Sequence, residues 1–158
     1  MAFGNYTYSG RLTGHTSKLV ELQSTLASLG GESCTAIVTT DYATSYGVFA
    51  TVIELLEQAG LRTTVAVVGG RLAVTIRPAG AAGEPVVALK GDRAYVNGAP
   101  LDDVDVERGL TSALRHQREM GLAADVALRY ATVERAFRAA RMAGVDKVLL
   151  ETDATPRR

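Results

Sequence analysis

The stretch Tyr130-Ala-Thr-Val-Glu-Arg-Ala-Phe-Arg-Ala-Ala-Arg-Met-Ala-Gly144-Val-Asp-Lys-Val-Leu-Leu150 decides the fold, because a looser version of it stands earlier in the chain. Stepping back 84 positions aligns Asp125 with Asp41, Tyr130 with Tyr46, Ala143 with Ala59 and Gly144 with Gly60. Each time, an acidic residue precedes a tyrosine by five positions, the tyrosine opens a helical run, and Ala-Gly stops it. A β-branched or apolar run follows. Such an internal repeat decides between one domain and a duplicated one. It predicts two related modules.

Within the quoted helix, Val133, Ala136, Phe137 and Ala140 form the face to be buried. Glu134 and Arg138 are expected as an i,i+4 pair on the other face. Gly144 supplies the left-handed stop and Lys147 to Glu151 the closing strand. The earlier copy predicts a buried strand at Thr35–Thr40 and a helix from near Ser45 to Gln58, with Gly60 as its stop. The segment Met120-Gly-Leu-Ala-Ala124 has poor strand propensity. The five-residue spacing to tyrosine nevertheless makes it the strand, in preference to Val126–Arg129.

Between the copies, Thr63–Val68 and Arg71–Arg77 are two β-rich runs across Gly69-Gly70, which predicts a hairpin rather than a phosphate cradle. Pro78–Pro85 is small and breaker-rich and reads as a linker. A second hairpin follows, Val86–Lys90 and Arg93–Val96 around Gly91-Asp92, with Asn97-Gly98 ending the pair. Nearer the start, Asn5–Tyr8 reads as a short strand. Leu19, Leu22, Leu26 and Leu29 mark an amphipathic helix that begins at Thr16 or Ser17.

With 158 residues, 47 % of them hydrophobic, no Trp and three Phe, the core must be built from Val, Leu, Ile and Ala. Net charge is zero, and both sides of Gly80 are separately neutral: five basic and five acidic residues before it, twelve of each after it. The basic footprint of a nucleic-acid-binding chain is missing, as is a polybasic run for a membrane surface. No stretch is apolar for long enough to span a bilayer, and no signal peptide is visible at Met1. An anchor removed upstream would leave such a soluble part. The single Cys34 forbids an internal disulfide and reads as a small buried hydrophobe.

Chemistry-bearing motifs are sparse. Asp102, Asp103, Asp105 and Glu107 invite a divalent-cation reading, but the calcium-loop pattern is absent and acidic residues suit a first helical turn. His15 and His116 are expected as solvent-facing helix residues without convergent partners. Asp41 and Asp125 are expected to bond to backbone amides of the following turn. Tyr46 and Tyr130 are expected to pack their rings and leave their hydroxyls at the edge. These four, Asp41, Tyr46, Asp125 and Tyr130, are the candidate binding positions. No catalytic residue, metal ligand or cofactor is assigned.

The ordered set Tyr95-Val-Asn-Gly98, Ala124-Asp125, Tyr130 with Val133, Ala143-Gly-Val145 and Val148-Leu-Leu150 resembles the periplasmic domain of the ExbD/TolR family, components of inner-membrane motors driven by the proton-motive force. Residues 5–68 resemble it more faintly, through Tyr8, Gly10, Asp41, Tyr46, Ala59 and Gly60. That copy lacks a first strand unless Arg71–Arg77 replaces it. The resemblance implies an α+β fold of two related ββαβαβ-type modules, with helices on one face of mixed sheets. The modules would be 1–77 and 86–151, joined by the linker 78–85 and followed by a flexible tail, 152–158.

The same resemblance implies a non-catalytic body at the periplasmic face of the inner membrane. Its partners would be an ExbB/TolQ-type channel protein, a TonB/TolA-type transducer and peptidoglycan, and it would be a homodimer or an intrachain pseudo-dimer. The family's transmembrane aspartate is not in this sequence, so proton coupling transfers to no residue here. The competing expectation is a small-ligand- or metal-binding or enzymatic α/β domain whose cleft between modules is lined by Asp102 to Glu107 and the arginines of the last helix.

Overall fold

The computed structural model describes residues 35–68, 70–78, 85–101 and 105–152. In chain order these form β1 (Thr35–Val38), α1 (Tyr46–Gln58), β2 (Arg62–Val67), β3 (Gly70–Pro78), β4 (Val86–Lys90), β5 (Arg93–Val96), β6 (Ala99–Pro100), α2 (Val106–Ala113), β7 (Glu119–Ala124), α3 (Tyr130–Ala143) and β8 (Lys147–Thr152). The fold is α+β. The expected strand Asn5–Tyr8, the helix from Ser17, Cys34, His15 and the tail lie outside the described residues, as do Asp102 and Asp103.

All eight strands join one mixed sheet in the order β1-β2-β3-β8-β7-β4-β5-β6. Two strand–helix–strand units dominate it. β1 and β2 are parallel neighbours joined through α1, and β7 and β8 are parallel neighbours joined through α3. β3 is antiparallel to β2 and parallel to β8, so the two units run in opposite senses on either side of it, as around a local two-fold. Arg71–Arg77 therefore does not take the place that a first strand of the earlier copy would hold beside β1. It occupies the middle of the sheet, because the tight hairpin after β2 commits it to β2's other edge.

Alternation along the strands sets which face is covered. Thr63, Val65 and Val67, Leu72 and Val74, Val87 and Leu89, Met120 and Leu122, and Val148 and Leu150 all point to the helices and are buried. They meet Phe49 and Ile53 of α1, Leu110 of α2, and Val133, Ala136, Phe137 and Ala140 of α3 in one core. Full burial of each large side chain is worth roughly 1.5–3 kcal/mol against conformational entropy.

Local chemistry explains most element boundaries. Ser45 caps α1 by accepting the Val48 amide, and Asp105 caps α2 by accepting that of Arg108. Gly60 and Gly144 follow their helices with φ of 81° and 98°. Gly144 returns its amide to the last turn of α3. Beyond the end of β2, the Ile76 amide of β3 would lose its partner, and Glu57 Oε1 of α1 accepts it at 3.0 Å.

Several expectations need correction. The β2–β3 register closes at Val67 opposite Gly70, so Gly70 belongs to β3, which it opens. Asn97 and Gly98, with φ of 51° and 81°, do not merely end a hairpin but turn the chain into β6. β1 is only half buried, with Ile37 48 % exposed, because it borders a single strand among the described residues. His116 is exposed, as expected, but lies outside the helix, in a turn with φ 71°. Glu134 is buried, and Arg138 instead meets Glu107 of α2 at 3.2 Å. The pairing failed because α2 packs along α3 and offers a carboxylate from outside the helix.

Candidate functional site

Asp41, Tyr46, Asp125 and Tyr130, predicted from their spacing alone, come together where the two strand–helix–strand units meet. Asp41 Oδ1 accepts the Ala43 amide at 2.9 Å, and Asp125 Oδ1 accepts the Ala127 amide at 3.1 Å. Behind them, the amides of Thr44 and Leu128 donate to the carbonyls of Asp41 and Asp125, both at 3.0 Å. Each aspartate thus closes an Asx-type turn that aims the chain at the next helix.

The two turns then grip each other. The amide of Tyr46 donates to the Leu128 carbonyl at 2.6 Å, and that of Tyr130 donates to the Thr44 carbonyl at 2.7 Å. One residue further, Gly47 donates to the Val126 carbonyl at 3.0 Å and Ala131 to the Tyr42 carbonyl at 3.1 Å. Ser45 and Arg129 form an antiparallel bridge at the centre. In each pair of bonds the two donors stand 84 positions apart, and so do the two acceptors, the same step seen in the sequence.

This geometry has a chemical consequence. A helix N-terminus presents unsatisfied amides and attracts anions. Here the leading amides of α1 and α3 are consumed by the opposite turn, so neither helix is left to cradle a phosphate. The interlock is close. A Cβ on Gly47 would lie 3.2 Å from Val126 Cβ, whereas the corresponding position on α3 is already Ala131.

Both tyrosine rings are buried, 3 % exposed, and join Phe49 and Phe137 in an aromatic cluster with the Phe49–Tyr130 centroids 5.0 Å apart. Expected at the edge, the Tyr130 hydroxyl is instead inside and has no hydrogen-bond partner among the described residues. Burial raises its pKa well above the usual phenol value, reinforced by the Glu134 carboxylate and the Tyr42 hydroxyl. A phenol held neutral in this way is unsuited to act as a base near neutral pH.

Of the acidic residues expected to line a cleft with the arginines of α3, Asp102 and Asp103 lie outside the described residues. Asp105 is spent on the cap of α2, and Glu107 on Arg138. Among the described residues no group of three or more His, Cys, Asp and Glu could hold a metal ion. None of the helices is long and apolar enough to cross a membrane, again among those residues.

Two features escaped the sequence reading. Tyr42 and Val126 supply acceptor carbonyls to the interlock and expose their side chains, 59 % and 40 %, beside it. They also stand 84 positions apart, inside the aligned span, but tyrosine and valine share no residue type that would single them out. The second is Arg77 of β3, which pairs with Glu151 of β8 at 2.8 Å, with both side chains about nine-tenths buried. Gly121 of β7 leaves the room for it.

Compared with protein-family models, curated proteins and solved structures, the chain finds no match.

Proposed function

We propose that this chain is a non-catalytic docking body of the ExbD/TolR kind, serving an envelope motor driven by the proton-motive force. Its two modules form the pair internally. The observation that carries the reading is the reciprocal set of backbone bonds between the turns at Asp41–Tyr46 and Asp125–Tyr130. Two units that satisfy each other's helix N-termini leave that surface closed, and the chain needs no second copy to complete it. The ordered residues Tyr95-Val-Asn-Gly98, Ala124-Asp125, Tyr130 and Ala143-Gly-Val145 support the family assignment by resemblance. By the same resemblance, an ExbB/TolQ-type channel protein, a TonB/TolA-type transducer and peptidoglycan are its partners, at the periplasmic face of the inner membrane.

Sedimentation equilibrium of the whole chain tests the internal pair and should give a monomer across the micromolar range. An obligate dimer would mean that the interlock is not the pairing surface. Co-expression with a tagged ExbB/TolQ-type channel protein from the same genome tests the motor role. Co-purification is expected, and its absence under conditions that retain the channel's own partners would overturn that part.

A further inference from the structure

The chain is neutral as a whole, but its charges are not evenly placed in space. The parallel strands β3, β8 and β7 start at the same end of the sheet, where Ala73 lies opposite Lys147 and Lys147 opposite Glu119. α3 finishes there too. A Cβ on Gly70 would stand 3.0 Å from Arg141 Nη2, and the Ala73 amide donates to the Asp146 carbonyl. The turn after α2 reaches the same place. Arg118 Nη1 donates to Asp146 Oδ2 at 2.9 Å, and the Asp146 amide donates to the Arg118 carbonyl.

Arg71, Arg115, Arg118, Arg141 and Lys147 therefore share one end of the molecule, all exposed, with Glu119 and Asp146 as the acids beside them. Five cations less two carboxylates leave a surplus of three positive charges. The C-termini of α2 and α3 point here and offset roughly half a charge each, which leaves roughly two. A cavity of about 580 Å³ opens within this patch, lined by Arg115, His116, Gln117, Arg118, Ala143 and Gly144.

We propose that this end is a docking surface for an acidic peptide segment of a partner protein, with Arg115 and Arg118 holding its carboxylates at the cavity. Four of the five cations are arginines, whose planar fork matches a carboxylate with two parallel hydrogen bonds. Arg118 already donates a single hydrogen bond to a carboxylate, that of Asp146. The cavity is in the size range that takes a side chain and its flanking backbone. A flat lipid surface would reach the rim and leave the concavity unfilled, which favours a peptide. Surplus charge of this size steers an acidic partner most strongly at low salt. The surface is separate from the interlocked turns, and the inference does not depend on the motor reading.

The test is NMR titration of the full chain with a short synthetic Asp/Glu-rich peptide. Shifts are expected to cluster at residues 70–71, 115–118 and 141–147, and affinity should drop about tenfold in Arg115→Glu/Arg141→Glu. Arg62→Glu, an exposed cation on antiparallel β2 at the opposite end, should bind as the parent does. Should the reversal pair lose its fold by circular dichroism, Arg115→Gln/Arg141→Gln gives the same comparison with smaller amplitude. Scattered shifts, an equal loss in Arg62→Glu, or tighter binding to phosphatidylcholine–phosphatidylserine vesicles or to oligothymidylate than to the peptide would each overturn the proposal.

Discussion

Replacing Tyr130 with phenylalanine should make this protein more stable. The ring contributes packing against Phe49 and Phe137, which phenylalanine keeps. What disappears is a hydroxyl enclosed without a hydrogen-bond partner among the described residues. Leaving such a group unsatisfied costs about 1–3 kcal/mol. Deleting its oxygen forfeits a handful of dispersion contacts of about 0.1–0.2 kcal/mol each. The balance is a gain of about 1 kcal/mol, or about 2–4 °C in Tm for a chain of this size.

The pH dependence carries a second, independent signature. Burial, Glu134 and Tyr42 hold the folded-state pKa of Tyr130 above that of a free tyrosine, near 10. The native protein therefore keeps a proton that the unfolded chain releases at high pH. Its contribution is fully present below about pH 10 and is lost as pH rises, by up to about 1.4 kcal/mol per unit. Tyr130→Phe removes this loss, so the gap between variant and parent should widen above about pH 10. Urea unfolding followed by near-ultraviolet circular dichroism, at neutral and alkaline pH, measures both. A variant less stable than the parent at neutral pH, or a constant gap, would show that the hydroxyl is satisfied and the reasoning wrong.

Three further substitutions probe the framework. Gly121→Ala would put a Cβ 2.5 Å from Arg77 Nη2 and 3.3 Å from Glu151 Oε1, displacing the guanidinium from its pair. Because that pair is largely buried, a loss of about 2 kcal/mol is expected in denaturant unfolding, and Arg77→Met/Glu151→Leu should abolish the sensitivity. Gly144→Ala meets no atom within 4 Å, so its cost is the left-handed backbone alone, about 1–2 kcal/mol by the same assay. Gly47→Ala should cost about 1 kcal/mol through its contact with Val126 Cβ, and Val126→Gly, which removes that atom, should relieve part of it. Additive effects in that double-mutant cycle would mean that the two turns are not tightly engaged.

Local patterning made much of the fold legible. A start near Ser45 and a stop at Gly60 delimit α1 without outside help, while its apolar face is so wide that only packing shows Phe49, Ile53 and Leu56 to be the buried side. Tyr130 to Gly144 behaves alike. The difficult strand Glu119–Ala124 was recovered from its spacing to Tyr130, against its own propensity, because a buried central position tolerates Gly121 and Ala123 when neighbours supply the hydrogen bonds. Glu134 was misread because an i,i+4 rule knows only one helix, whereas α2 placed Glu107 within reach of Arg138.

The candidate site was legible as positions and illegible as an arrangement. Asp41, Tyr46, Asp125 and Tyr130 could be listed from the repeat, and their Asx turns follow from residue type within a few positions. That the two turns bond to each other could not be read, since both ends of each bond are backbone atoms that every residue carries.

What the amino-acid order determined by itself was set within a turn or two of chain: the helices Tyr46–Gln58 and Tyr130–Ala143 and the pairing of β2 with β3 and of β4 with β5. Tertiary structure alone decided that β3 lies between the two units, that Arg77 is buried against Glu151, and that Arg71, Arg115, Arg118, Arg141 and Lys147 share one end. The reason is range. Side-chain pattern and backbone preference act over a few residues, while the neighbours that neutralise, bury or concentrate a charge are chosen by how distant segments pack.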